Sequence, residues 1–139
     1  MTTPASTEPA RSKTVLTAFL ADLIAIAAFG LFARVAHQSA DMPLNVLGWL
    51  NTTWPFWLGV LAAWVLLWWG MMGSRSGHEL STALPVWVGA VVVGLSVWTL
   101  RNGSLPHWSF VIVACVMSAL LLWGWRLVAR LFRARAGRS

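Results

Sequence analysis

The chain predicts an all-α membrane protein, a bundle of four transmembrane helices with both termini cytoplasmic. Three observations predict it. Four apolar runs, residues 15–36, 54–72, 84–100 and 109–128, fill most of the 139 residues. Each is near the roughly 20 helical residues that cross a hydrocarbon core of about 30 Å. Charged residues make up only 10% of the chain, against about 25% in an average soluble domain, too few to coat four all-round apolar helices. The 11 tryptophans gather towards the ends of the runs, where an indole sets its ring in hydrocarbon and its N–H among headgroups.

The first run, 15–36, follows Arg11 and Lys13 as a signal peptide would. Its core is longer than the about 7 to 15 apolar residues of a signal. It also carries Asp22 and, near its end, Arg34, and is followed by His37, so a retained span is expected. The second run opens with Trp54 and Pro55, directly after Thr53. The third is short, and Pro85 fits a first helical turn because the amide it lacks has no acceptor there; Ser81 to Leu84 complete the span. The fourth holds the lone cysteine, Cys115, which has no partner for a disulfide and acts as a small apolar residue.

The segments divide into an N-terminal stretch 1–14, expected to be disordered and cytoplasmic, one membrane domain 15–128, and a basic cytoplasmic tail 129–139. Lys and Arg near span ends stay preferentially on the cytoplasmic side. With both termini inside, that side holds Arg11, Lys13, Arg75, Arg126, Arg130, Arg133, Arg135 and Arg138, and the outside only Arg34 and Arg101. The net charge of +6 is therefore read as topology, with anionic lipid headgroups as the partner of the tail, at about 1 kcal/mol per basic residue. Nucleic acid is not expected as a partner. In the first outer loop, Leu44, Leu47 and Leu50 recur at helical spacing and suggest a surface turn.

Membrane helices associate where small residues let backbones approach. Ala21 with Ala25, Gly59 with Ala63, Ala90 with Gly94, and Ala114 with Ser118 give each span such a face. Trp54, Pro55, Gly59, Ala90 and Gly94 are the expected packing interface. Trp54, Trp57, Leu61, Trp64 and Trp68 form one stripe on the second helix, read as a packing or lipid-facing surface because no polar anchor for a pigment or quinone lies among them.

Asp22 is the leading candidate functional residue. An Asp at mid-span costs about 2.5 to 3.5 kcal/mol on insertion scales, so it must be protonated, paired or facing water. One reading makes it the proton or cation site of a small translocating oligomer. The other pairs it with Arg126, or with a hydroxyl such as that of Thr17. At the outer end, Arg34, His37, Asp41 and Arg101 form a second candidate cluster, for an anion or as a polar seal. His37, Asp41 and His107 would make a two-histidine, one-carboxylate site only if the first helix continued past the membrane, and no metal is expected. There is no Gly-rich phosphate loop, nucleophile elbow, paired carboxylate face or Cys/His cluster, so no enzyme activity and no cofactor are expected.

Ala21-Asp22 in the first span, Arg34 with His37 at its end, Thr53-Trp54-Pro55-Phe56 with Gly59, and Arg101 followed by Gly103 and Phe110-Val111 resemble the uncharacterised bacterial membrane family catalogued as domain of unknown function 3054. The resemblance covers residues 16–128 and implies a small four-span protein with no established activity. The expectation is thus a multi-pass protein of the cell membrane, a homo-oligomer or the partner of another membrane protein. It either translocates an ion or small solute or serves as a non-catalytic accessory subunit.

Overall fold

The computed structural model describes residues 8–71 and 76–138. It consists of α1 (Glu8–Ala36), α2 (Val46–Leu66) running into a π-helical turn (Leu67–Met71), α3 (Leu80–Asn102) and α4 (Trp108–Ala136). Each helix is long and apolar enough to cross a membrane, with mean hydropathy of 2.3, 1.3, 1.9 and 2.1 in chain order. Neighbours in sequence are neighbours in space, and α1 also packs on α4, so the four close into a ring. Short connections make successive helices antiparallel. One end of the bundle, the terminal end, therefore carries the start of α1, the end of α4 and the described part of the α2–α3 connection.

All four spans lie where the apolar runs place them, but their ends are longer, for local reasons. The helix α1 begins at Glu8, so residues 8–14 are helical where disorder was expected; residues 1–7 lie outside the described part. Thr14 and Thr17 donate their hydroxyls to the carbonyls of Ala10 and Lys13 at 2.9 and 2.8 Å, which keeps polar side chains compatible with this helix. At the other extreme, α4 runs through the basic tail to Ala136, with Arg133 and Arg135 in its last turn. Cations there oppose the negative end of the helix dipole.

The second helix starts at Val46 rather than at residue 54. Asn45 is its N-cap, in extended conformation, and its Oδ1 accepts the Gly48 N–H at 2.7 Å, which satisfies one orphan donor of the first turn. Leu47 and Leu50 are thus exposed residues of α2 and not a separate surface turn. Pro55 falls deep inside this helix, where it cannot bond the carbonyl four residues back. That carbonyl belongs to Asn51, and Arg101 of α3 supplies the missing donor: Nη1 reaches it at 3.3 Å while Nη2 bonds Asn51 Oδ1 at 2.6 Å. Pro85 likewise lies inside α3, which starts at Leu80, and not in its first turn.

The tightest pairing is α2 on α3. A Cβ on Gly89 would lie 2.7 Å from the Gly59 carbonyl oxygen and 2.8 Å from Ala63 Cβ, and one on Gly94 would enter the Phe56 ring. Pro55, Gly59, Ala90 and Gly94 are all buried in this contact, while Trp54 is half-exposed and receives the Arg101 guanidinium 5.2 Å from its ring centre. The α1–α2 contact is similar in kind. A Cβ on Gly30 would strike the Thr53 side chain, and Phe29 meets Phe56 edge to face at 4.9 Å. Outward-facing Ile24, Leu66 and Leu120 are exposed and suit contact with acyl chains.

Glycine substitutions should separate packing from propensity. Gly89→Ala forces two backbones apart and is expected to cost about 1 to 3 kcal/mol. Gly124→Ala, with nothing near its would-be Cβ, should be neutral or stabilise by up to about 1 kcal/mol. Thermal unfolding of the detergent-solubilised variants measures both; equal effects would mean that α2–α3 is not backbone-limited.

Candidate functional site

Asp22 sits on α1 with no exposed surface, facing the neighbouring α4. Arg126 of α4 meets it with both terminal nitrogens: Nη1 lies 2.7 Å from Oδ1 and Nη2 2.9 Å from Oδ2. Each carboxylate oxygen then accepts an indole. Trp125 Nε1 donates to Oδ1 at 2.8 Å and Trp64 Nε1, from α2, donates to Oδ2 at 3.0 Å. The four donors give the carboxylate a complete shell without water. The arginine is nearly as well supplied, since Nη1 also donates to the Leu122 carbonyl at 3.0 Å and Nε to the Gly77 carbonyl at 3.1 Å. Its guanidinium carbon stands 4.5 Å from the centre of the Trp125 ring, a cation–π contact.

Gly77 comes from the α2–α3 connection, which folds inward at the terminal end. Its φ of +84° is a left-handed conformation that favours glycine, and a Cβ there would press on Ala18 and Trp64. Glu79 holds the connection in shape. Its Oε1 accepts the Ser76 N–H at 2.9 Å and the Ser76 hydroxyl at 3.2 Å, and its Oε2 accepts the Gly77 N–H at 2.9 Å. Burial pushes the Glu79 carboxyl up, but the amide and hydroxyl donors outweigh it and hold its pKa below the ordinary glutamate value. Next to it, burial foremost and then the Arg133 charge lower the pKa of His78, whose ring stands edge to face with Trp125 at 5.4 Å.

The network therefore joins α1, α2, α4 and the connection into α3. It gives Asp22 the Arg126 partner, while Thr17, the other partner considered, turns to its own helix. Trp64, Trp125 and Gly77 were not singled out as partners. A signal existed for Trp64, the one tryptophan far from any span end; nothing marked Gly77. Indoles elsewhere do the same work. Trp49, Trp57 and Trp87 donate to the carbonyls of Ala27, Leu23 and Cys115 on neighbouring helices at 2.8 to 2.9 Å. The expected stripe on α2 is accordingly split between buried Trp64 and exposed Trp68.

At the opposite end the four candidate residues take separate places. Arg34 is buried and lies against Gly48 in the first turn of α2, with its Nε lacking an acceptor. His37 packs its ring against Phe110 at 6.3 Å, Asp41 is exposed in the loop, and Arg101 is bound to Asn51. Among the described residues, no ion pair joins Asp41 to Arg34, His37 or Arg101, and no group of three or more His, Cys, Asp or Glu stands close enough to hold a metal.

Four helices long and apolar enough to span a membrane, tied together around a buried ion pair, define a small multi-pass α-helical membrane protein. The chain belongs to the family described as Protein of unknown function (DUF3054), whose model matches residues 19–129. That stretch contains Asp22, Trp64, Gly77, Trp125 and Arg126, the whole of the network. No curated protein and no solved structure gives a match.

Removing one member of the ion pair strands the other in an apolar interior, so Asp22→Leu or Arg126→Leu should each cost about 3 to 5 kcal/mol. The double variant should recover most of that loss in thermal unfolding; a double variant as unstable as the sum of the singles would mean the two groups do not act as a pair.

Glu79 ties the stability of the bundle to acid. Its pKa is lowered on folding, so the stabilisation is present above the unfolded value and is lost as pH falls through the folded one. Stability should therefore drop below the ordinary carboxylate range, and this acid limb should vanish in Glu79→Gln, as followed by melting temperature against pH.

Proposed function

We propose that the protein is a non-catalytic accessory subunit of the cell membrane, with both termini cytoplasmic, that works by lateral association with a membrane partner or with further copies of itself. The observation that carries this reading is the closed shell of Asp22. A carboxylate that carries a proton or cation must exchange ligands, and this one has both oxygens occupied by an arginine and two indoles, without exposed surface. Such an arrangement suits a lock between helices. The long apolar faces left outside the ring, with exposed Leu66, Trp68 and Trp69 on and beyond α2, offer area for lipid or for a second membrane protein.

A second reading keeps Asp22 as the proton or cation site of an oligomeric translocator. It is favoured by a crevice at the terminal end that reaches Arg126, the residue that holds Asp22. Opening the ion pair from that side would give the acid access to water.

Reconstitution separates the two. Under the accessory reading, wild-type protein alone in liposomes gives no proton, cation or anion flux above protein-free vesicles, and it co-purifies from native membranes with one partner, or itself, at fixed ratio. The Asp22→Leu/Arg126→Leu variant keeps that association. A flux in wild type that the double variant lacks would overturn the accessory reading in favour of translocation.

A further inference from the structure

The crevice at the terminal end has a volume of about 320 Å³ and lies between the α2–α3 connection and the last turns of α4. This is at the lower end of the roughly 300 to 1,000 Å³ typical of small-ligand pockets, too small for a folded partner and roomy enough for a compact polar group. Its chemistry is set by Ser76, His78, Glu79, Arg126, Arg130 and Arg133.

The charges in it are not all free. Arg126 is consumed by Asp22 and the Gly77 and Leu122 carbonyls. The Glu79 carboxylate is consumed by the N–H groups of Ser76 and Gly77. Arg130 and Arg133 remain. They are three residues apart on α4 and so project from one side of it, and among the described residues neither makes an ion pair. The crevice thus holds two unspent guanidinium groups, whose forked N–H geometry matches phosphate oxygens.

Its surroundings say where the phosphate comes from. Val128 and Phe132 lie on the far side of α4, but the flank next to Arg130 presents Leu120, Leu127 and Leu131, all about half-exposed or more, the first of them deeper in the span. A molecule seated there would lay hydrocarbon along these residues and its phosphate in the crevice. The basic residues also lie at the end of the bundle expected to face the cytoplasm, where anionic lipid is concentrated.

We propose that this crevice binds the phosphodiester headgroup of an anionic glycerophospholipid, held by Arg130 and Arg133. The site is independent of whether the bundle serves as an accessory subunit or a translocator. It differs from a general attraction of the tail to the membrane surface in needing these two arginines and not others.

The test is lipid retention by the full chain in mild non-ionic detergent, read by native mass spectrometry after addition of phosphatidylglycerol or phosphatidylcholine. Three proteins are compared: wild type, Arg130→Gln/Arg133→Gln, and Arg135→Gln/Arg138→Gln, which removes equal charge from exposed positions beyond the crevice. Wild type and the distal variant should retain phosphatidylglycerol over phosphatidylcholine, with retention falling about tenfold or more in the crevice variant. An Arg130→Lys/Arg133→Lys variant should keep part of the retention, which separates lost binding from lost folding. Equal loss in both Gln variants, or loss in neither, would overturn the proposal. Full displacement of phosphatidylglycerol by inorganic phosphate would overturn the lipid assignment and make the occupant a free anion.

Discussion

A carboxylate and a guanidinium placed between helices in a hydrocarbon medium have no water to fall back on. The Asp22–Arg126 pair is the constraint around which the rest of this bundle is arranged. Desolvating two ions costs several kcal/mol each, and their attraction offsets this only when the geometry is good and the remaining lone pairs and protons are bonded. Here the geometry is a two-pronged fork at 2.7 and 2.9 Å, and the remaining capacity is met by two indoles and two backbone carbonyls. Each of those extra partners comes with a structural demand. Trp64 must point inward from the last turn of α2. The α2–α3 connection must bend so that the Gly77 carbonyl reaches the bundle, which only a left-handed glycine packed on Ala18 permits. Glu79 must hold that bend by taking up the amides of Ser76 and Gly77.

The same shortage of water explains the tryptophans. An indole N–H buried in lipid without an acceptor costs free energy, while helix carbonyls are already bonded within their helix but keep a second lone pair. Trp49, Trp57 and Trp87 use that spare capacity on the neighbouring helix. Each such contact fixes two helices at a definite rotation and depth, something the smooth packing of Gly59 on Gly89 alone does not specify. Arg101 plays the converse part. Pro55 leaves the Asn51 carbonyl short of a donor, and the arginine provides one from the next helix. A defect in α2 thereby becomes a link to α3.

Much of this was legible in the sequence, and the boundary between what was and was not is physical. Span number and position follow from hydropathy, because a bilayer sets helix length almost without regard to tertiary contacts. Gly59, Ala90 and Gly94 were readable as a close-packed face because small residues at four-residue spacing have few other uses in a membrane helix. Asp22 stood out because a charge at that depth demands an explanation. Helix ends were not readable in the same way. Hydropathy falls off at Asn45 and in the arginine-rich tail, yet caps and the helix dipole carry the helices on through both. The indole partners of Asp22 were hidden for another reason. Arg126, 104 residues away in the chain, was one of the two partners considered, but the indoles were not, because a tryptophan such as Trp125 near a span end looks the same whether it serves the interface or a buried ion.

The network also places two kinds of basic residue on one helix within two turns. Arg126 is sealed, 1% exposed, and neutralised by a carboxylate that the fold provides. Arg130 and Arg133, one and two turns further towards the end of α4, face a crevice whose only carboxylate among the described residues is already committed to backbone amides. An arginine side chain loses rotamer freedom when it lines a cavity, and two like charges on one side of a helix repel by a few tenths of a kcal/mol. Those costs are offset when an anion sits between the two guanidinium groups. The same helix therefore spends one arginine on holding the bundle together and presents the next two to whatever anion the membrane surface supplies. Because the wall they face is the Glu79-braced connection that supplies the Gly77 carbonyl to Arg126, an occupant of the crevice would press on the segment that completes the buried ion pair.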